Sequence, residues 1–128
     1  MKIVKTYQTS NPKIDIVIYE PKQTGSNTTI NYSIRNICSG CQDSIFASFA
    51  AITGYTSDKK TFLLDETAGQ KYNPIVDQDD NVLMTPSCSK NLKAGEKIDC
   101  FIAFTKVPAG TSVSFVAGQL KIDGILVN

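Results

Sequence analysis

Histidine is absent from the chain. Ser-His-Asp and Cys-His nucleophile activation both need an imidazole near neutral pH, as do most catalytic zinc sites, so a large set of enzymes is removed in one step. Carboxylate or lysine chemistry stays open, but no constellation of such residues stands out. Charge imbalance is absent as well: 13 Lys and Arg against 12 Asp and Glu leave a formal net charge of +1. No bulk field therefore draws the protein to nucleic acid or to an anionic membrane, and no nucleic-acid partner is expected. No run of about 18 apolar residues is present, so no transmembrane segment is expected. The N-terminal MKIVKTYQTSNPKID has lysines but lacks the apolar stretch of an intact signal peptide. Either the protein is made without a leader, or a leader or membrane anchor was cut away ahead of Met1. There is no internal repeat, no convincing long helix and no cofactor motif.

What is present is a succession of short alternating segments. At 128 residues the chain is about one domain, 1–128 with a lead-in over residues 1–12, and folding buries roughly two-thirds of the unfolded surface. No staple is strictly required. The most ordered stretch is Leu92 to Phe115, which reads as strand, turn, strand. Ile98, Cys100, Ile102 and Phe104 alternate with Asp99, Phe101, Ala103 and Thr105, the period-2 pattern of a strand whose faces see different surroundings. Ala94-Gly95 supplies a turn before it and Pro108-Ala109-Gly110 one after.

The remaining segments fit around that unit. A short strand is expected at Ile3-Val4. Ile14, Ile16 and Ile18 share one face of a β-branched strand that Pro21 ends. Gln23 to Asn27 reads as a polar turn, and Thr28 to Asn36 as a strand with Ile30, Tyr32 and Ile34 inward. Ser44 to Thr53 is apolar or small at both parities, which suits a strand covered on both faces. A short helix competes, since Ile45, Phe49 and Ile52 also fall at helical spacing; strand is preferred because both flanks are strands. Gly54 to Lys60 reads as a turn and Thr61 to Asp65 as a short strand. Glu66 to Asn91 is polar and broken by Gly69, Pro74 and Pro86, long for an irregular stretch. One or two short edge strands are expected there, tied down by Cys88. In Gln119 to Val127 the apolar parity switches at Gly124, which a β-bulge at that glycine would repair. Seven or eight short strands make an all-β, antiparallel β-sandwich.

Four cysteines at positions 38, 41, 88 and 100 allow three pairings. Structural disulfides are the favoured account, with Cys100 on the core face of its strand and Cys88 as the partner that would clip the irregular loop. Cys38 and Cys41 would then pair locally, or crosswise with the other two. Zinc is weaker, because the CxxC at 38–41 lacks a second closely spaced knuckle. Redox activity at CSGC would need the first cysteine at a helix N-terminus, and free buried thiols are the remaining option.

Asp77, Asp79 and Asn81 occupy the first three ligand positions of a calcium loop, but Val82 and Cys88 stand where glycine and a bidentate glutamate are needed. A looser site with Asp65 or Glu66 competes with a solvated acidic turn, which is preferred. Asn27 and Asn31 begin N-x-[ST] triplets, of consequence only in a glycosylating export route. Tyr7, Tyr19, Tyr32, Tyr55 and Tyr72, with Phe46, Phe49 and Phe101, would suit a ligand-stacking platform, but core packing and scattered surface aromatics explain them more simply. Phe101 is the exception, because its parity opposes Cys100, so with Phe46 or Ile52 it would form an exposed apolar patch and a partner surface.

Leu92-Lys93-Ala94-Gly95-Glu96, then Phe101 to Phe104 and Val107-Pro108, together with an earlier strand closing in Ile34-Arg35-Asn36, resemble a family of small immunoglobulin-like extracellular domains. That family includes secreted and lipoprotein-borne bacterial and archaeal modules similar to the mycobacterial immunoprotective antigen. The resemblance covers about 40 residues, and Cys38, Cys41 and Cys88 stand outside it. It implies a secreted or cell-surface, non-enzymatic sandwich and transfers no functional residues. The expectation is thus a binding or adhesion module outside the cytoplasm, with a protein partner or self-association. The alternative is a structural subunit of a surface filament or virus particle that packs through apolar strand faces and edge strands.

Overall fold

The computed structural model describes residues 1–55 and 60–128. Among them are eleven strands and one short helix: β1 (Ile3–Gln8), β2 (Ile14–Tyr19), β3 (Lys22–Thr24), β4 (Asn27–Asn36), β5 (Ile45–Ser48), α1 (Phe49–Thr53), β6 (Thr61–Asp65), β7 (Gln70–Tyr72), β8 (Ser89–Leu92), β9 (Lys97–Thr105), β10 (Thr111–Ala117) and β11 (Leu120–Val127). The strand pairings are antiparallel. In one sheet β2 lies between β1 and β4, β3 runs beside the first residues of β4, and β9 follows the other edge of β4 along its whole length. Residues 73–85 extend this sheet past β9, where Pro74 bridges Phe104 and Met84 bridges Ile102. The second sheet has the order β11-β10-β6-β7, and β5 with β8 forms a small third one.

The alternation seen in the sequence sets which face goes inward. Ile30, Tyr32 and Ile34 of β4 and Cys100, Ile102 and Phe104 of β9 meet Leu63 of β6, Phe115 of β10 and Ile122 and Ile125 of β11 in one core. Phe49 enters it from α1, with its ring centroid 5.0 Å from that of Tyr32 and 6.1 Å from that of Phe115. Aromatic pairs at such separations add to the burial term. The fold is an all-β sandwich.

The bulge read at Gly124 is present. Val113 pairs with Ile125 and Phe115 with Ile122, so Ser114 faces two residues, and Gly124 has φ +72. The extra residue returns Ile125 and Val127 to the core side, where both are fully buried.

Several boundaries differ from the sequence expectation, each for a physical reason. Eleven strands, not seven or eight, are found among the described residues, because three- and four-residue strands are too short to show a period. β1 is six residues long where a strand of two was expected within the lead-in. The polar segment Gln23 to Asn27 is a hairpin, with Lys22–Thr24 paired to Asn27–Thr29 around Gly25-Ser26. Ser44 to Thr53 is not one continuous strand. It is β5 followed by α1, because the Ser48 side chain accepts from the Ala51 N–H as an N-cap and Gly54, at φ 81, closes the helix in the left-handed region. The turn expected over Gly54 to Lys60 falls largely on residues 56–59, outside those described. β9 and β10, read as a strand-turn-strand unit, lie in opposite sheets, so Lys106 to Gly110 is a crossing between layers.

Candidate functional site

The β1–β2 turn, β5, α1 and the β10–β11 turn converge around a cleft of about 570 Å³. Each wall has a local cause. The β1–β2 turn is held by Thr9, whose hydroxyl donates to the Ile14 carbonyl at 2.7 Å, and by Asn11, whose Oδ1 accepts from the Lys13 N–H at 3.0 Å. α1 is anchored below by Phe49 and behind by the β10–β11 turn. The Gln119 N–H donates to the Thr53 carbonyl at 3.2 Å, and its side-chain amide donates to the Ile52 carbonyl at 3.1 Å. Phe46 stands at the lip and is 63 % exposed.

The lining divides into an apolar group, Tyr7, Ile14, Ile52 and Leu120, and a neutral polar group, Ser10, Asn11, Ser48 and Gln119. None of its residues is Asp, Glu, Lys or Arg. A second cleft of about 510 Å³ lies along the opposite side of α1, between Met84, Pro86 and Thr61, and its aromatic residue, Phe49, is buried.

The charged networks lie elsewhere. On the outer face of the first sheet Arg35 grips Asp15 with two hydrogen bonds of 2.8 and 2.6 Å. Those bonds raise the Arg35 pKa above its ordinary value. Beside them Asp99 accepts from the Ser33 hydroxyl and pairs with Lys97 at 3.0 Å. The Ser33 hydrogen bond first, and Lys97 second, hold its carboxyl below the usual carboxylate range. On the second sheet Lys121 joins Glu66 and Asp123, and Asp123 is lowered chiefly by the Ser114 hydroxyl, which donates to it at 2.6 Å. None of these shifted groups lines the cleft.

The residues singled out in the sequence fall as follows. Cys88 and Cys100 form a disulfide with Cα atoms 6.2 Å apart, both nearly inaccessible. Cys38 and Cys41 form a second, more exposed one in the loop after β4. Among the described residues no cysteine is free, which leaves no thiolate for zinc, and the segment after CSGC enters a strand, not a helix. Phe46 and Ile52 share the cleft, but Phe101 does not join them. It is half-buried on the outer face of the first sheet, in a hollow with Met1, Tyr19 and Thr85. The single apolar patch expected from these three residues is therefore split. Asp77 folds its carboxylate back on its own turn, with Oδ1 accepting from the N–H groups of Asp79 and Asn81 at 2.9 Å each. No group of three metal-ligating side chains is found among the described residues. Asn27 and Asn31 both lie within β4. Tyr7 reads with the other aromatics as a packing residue, and Gln119 is missed as a site residue, because nothing local marks a turn that meets the cleft only through packing.

The two stretches that carried the family resemblance touch. The Gly95 N–H donates to the Asn36 carbonyl at 2.9 Å, the Asn36 N–H to the Glu96 carbonyl at 3.0 Å and the Asn36 amide to the Leu92 carbonyl at 3.0 Å. Comparison with protein-family models, with curated proteins and with solved structures finds no match. No helix among the described residues is long and apolar enough to cross a membrane.

Proposed function

We propose that the protein is a non-enzymatic binding module acting outside the cytoplasm, as a secreted or cell-surface domain, and that it binds through the cleft at Phe46. The observation that carries this is an aromatic ring left 63 % exposed at the lip of a ligand-sized cleft lined by neutral side chains. Pockets of roughly 300–1,000 Å³ suit small ligands or peptide segments, and a few polar groups among apolar walls orient what enters. Without histidine or a charged side chain in the lining, the cleft offers positioning and burial in place of acid–base chemistry. Two disulfides support an oxidising compartment, since cytosolic thiols are kept reduced.

The test is a parallel screen of the oxidised protein against a random displayed peptide library and an array of neutral oligosaccharides. The expected result is a binder weakened about tenfold or more by Phe46→Ala or Ile52→Ala and unaffected by Phe101→Ala, the scale of one lost buried contact. Binders that depend on Phe101 and ignore Phe46 would move the site to the outer face of the first sheet and defeat the proposal.

A further inference from the structure

We infer that the ligand of this cleft is an extended peptide segment without charged side chains, taken up as an added strand along the open edge of β5; the inference rests on the binding function proposed above. The phase of the β5–β8 ladder decides which backbone groups of β5 are left open. Ile45 pairs with Leu92, Phe46 with Asn91, Ala47 with Lys90 and Ser48 with Ser89. One step on in the same register, the Phe49 N–H donates to the Cys88 carbonyl at 2.9 Å. In an antiparallel ladder hydrogen-bonded and non-hydrogen-bonded pairs alternate, so Ala47/Lys90 and Ile45/Leu92 exchange the bonds. Phe46 then turns its N–H and C=O, and Ser48 its N–H, away from β8. Among the described residues β5 pairs with no strand but β8, and no turn or loop backbone group bonds to these three groups.

Those groups open on the cleft. Phe46, Ala47 and Ser48 all line it. Successive strand residues point to opposite faces, so three in a row reach one cavity when the strand presents its edge. The edge is also unguarded. Native sheets protect exposed edges with charges, lysine above all. β1 carries Lys5, β3 Lys22, β7 Lys71, β8 Lys90 and β11 Lys121, whereas Ile-Phe-Ala-Ser of β5 carries no charge. An edge left bare at one place, inside a cleft, suits a strand that pairs with it.

The walls select the side chains. The part-exposed Tyr7 and Ile52, above a floor formed by the buried Ile14 and Leu120, offer apolar contact to alternate side chains of the incoming segment, and the neutral polar group meets main-chain or hydroxyl groups at its ends. A charged side chain would find no counter-charge there and would be disfavoured. Four residues of β5 at about 3.3 Å each set a footprint of roughly four to six ligand residues.

The test takes a peptide selected from a random displayed heptapeptide library and resynthesises it with each amide N-methylated in turn. Strand addition predicts an alternating pattern in the central residues: methylation at one parity lowers affinity about tenfold, and at the other changes it little, because only alternate amides face β5. Amide exchange at Phe46 and Ser48 slows on binding. Phe46→Pro removes one cleft-facing N–H and leaves the β5–β8 ladder intact, so it weakens binding beyond Phe46→Ala; where that variant misfolds, the methylation scan decides alone. Tolerance of methylation at every position, or unchanged exchange at Phe46 and Ser48, overturns the inference. A neutral oligosaccharide that binds and is lost in Phe46→Ala sinks the strand and leaves the binding cleft standing. Peptide binding that ignores every cleft variant sinks both. Concentration-dependent polymers abolished by Phe46→Pro would give the edge to a second copy of the chain and likewise overturn the peptide partner.

Discussion

Two ion pairs lie close together on the outer face of the first sheet, and burial decides their different weights. Lys97 and Asp99 are both at least half exposed, and exposed pairs of this kind contribute about 0–1 kcal/mol after screening and side-chain ordering. Asp15 is 4 % exposed on a strand whose six residues are all buried, and the forked Arg35 guanidinium is its cover. Removing Arg35 leaves a carboxylate without a counter-charge, a loss of 3–5 kcal/mol when the pair is fully enclosed. Because the Arg35 side chain is itself one-third exposed, water reaches the vacated place, and Arg35→Ala is expected to cost about 2–3 kcal/mol in urea unfolding. The double variant Asp15→Val/Arg35→Leu removes both charges and keeps apolar volume, so it is expected to cost less than the single one. Equal losses in the two would place the effect in lost packing by the arginine stem.

At the scale of elements, what the sequence made legible follows from length and parity. β4 and β9 run nine or ten residues, enough for the alternation of Ile30-Tyr32-Ile34 and Cys100-Ile102-Phe104 to show. The parity switch at Gly124 marks the bulge that the β10–β11 ladder contains. Parity is ambiguous at Ser44 to Thr53, where apolar residues at both parities have two causes, an edge strand and one turn of helix. The signals that separate them were present locally: Ser48 as cap, Gly54 as terminator. For the cleft, Phe46 and Ile52 could be picked out as apolar residues at odds with a single buried face. Asn11 and Gln119 could not, since turns from distant parts of the chain bring them together. The bulge also carries a prediction. A Cβ at Gly124 would come within 3.0 Å of the Lys5 Nζ and 3.2 Å of its Cε, the movable end of a long side chain, so space is not the main cost. The backbone at φ +72 is, and an L-residue in the left-handed region loses roughly 1–2 kcal/mol. Gly124→Ala is expected to lose about that much, and Gly124→Asn less, because asparagine tolerates this conformation. Equal stability of wild type and Gly124→Ala in urea melts would mean that β11 can shift its register.

For the whole molecule the question is whether the core or the disulfides hold the sandwich together. Cys88–Cys100 closes a loop between residues 12 apart, and Cys38–Cys41 one between residues 3 apart. Loop-closure entropy assigns them about 3 and about 2 kcal/mol. The buried set from Ile16 through Tyr32, Phe104 and Phe115 to Ile125 draws on both main sheets, and a chain of this length buries enough surface to fold without a staple. Reduction is therefore expected to lower the urea midpoint by roughly 2–3 M while the far-ultraviolet β signal survives in buffer without urea. The pair Cys88→Ala/Cys100→Ala should account for more of the drop than Cys38→Ser/Cys41→Ser. The two bridges also differ in what they hold. Cys88 directly precedes β8 and its carbonyl receives the Phe49 N–H, so this bridge seats β8, β5 and α1 against β9, and with them the wall of the cleft. Loss of Cys88–Cys100 should thus raise amide exchange in β5 and α1 before it reaches β4 and β9, whereas loss of Cys38–Cys41 should loosen only the loop between β4 and β5. Uniform exchange after either loss, or unfolding in plain buffer on reduction, would show that the small β5–β8 sheet and the main core form one cooperative unit that needs its disulfides.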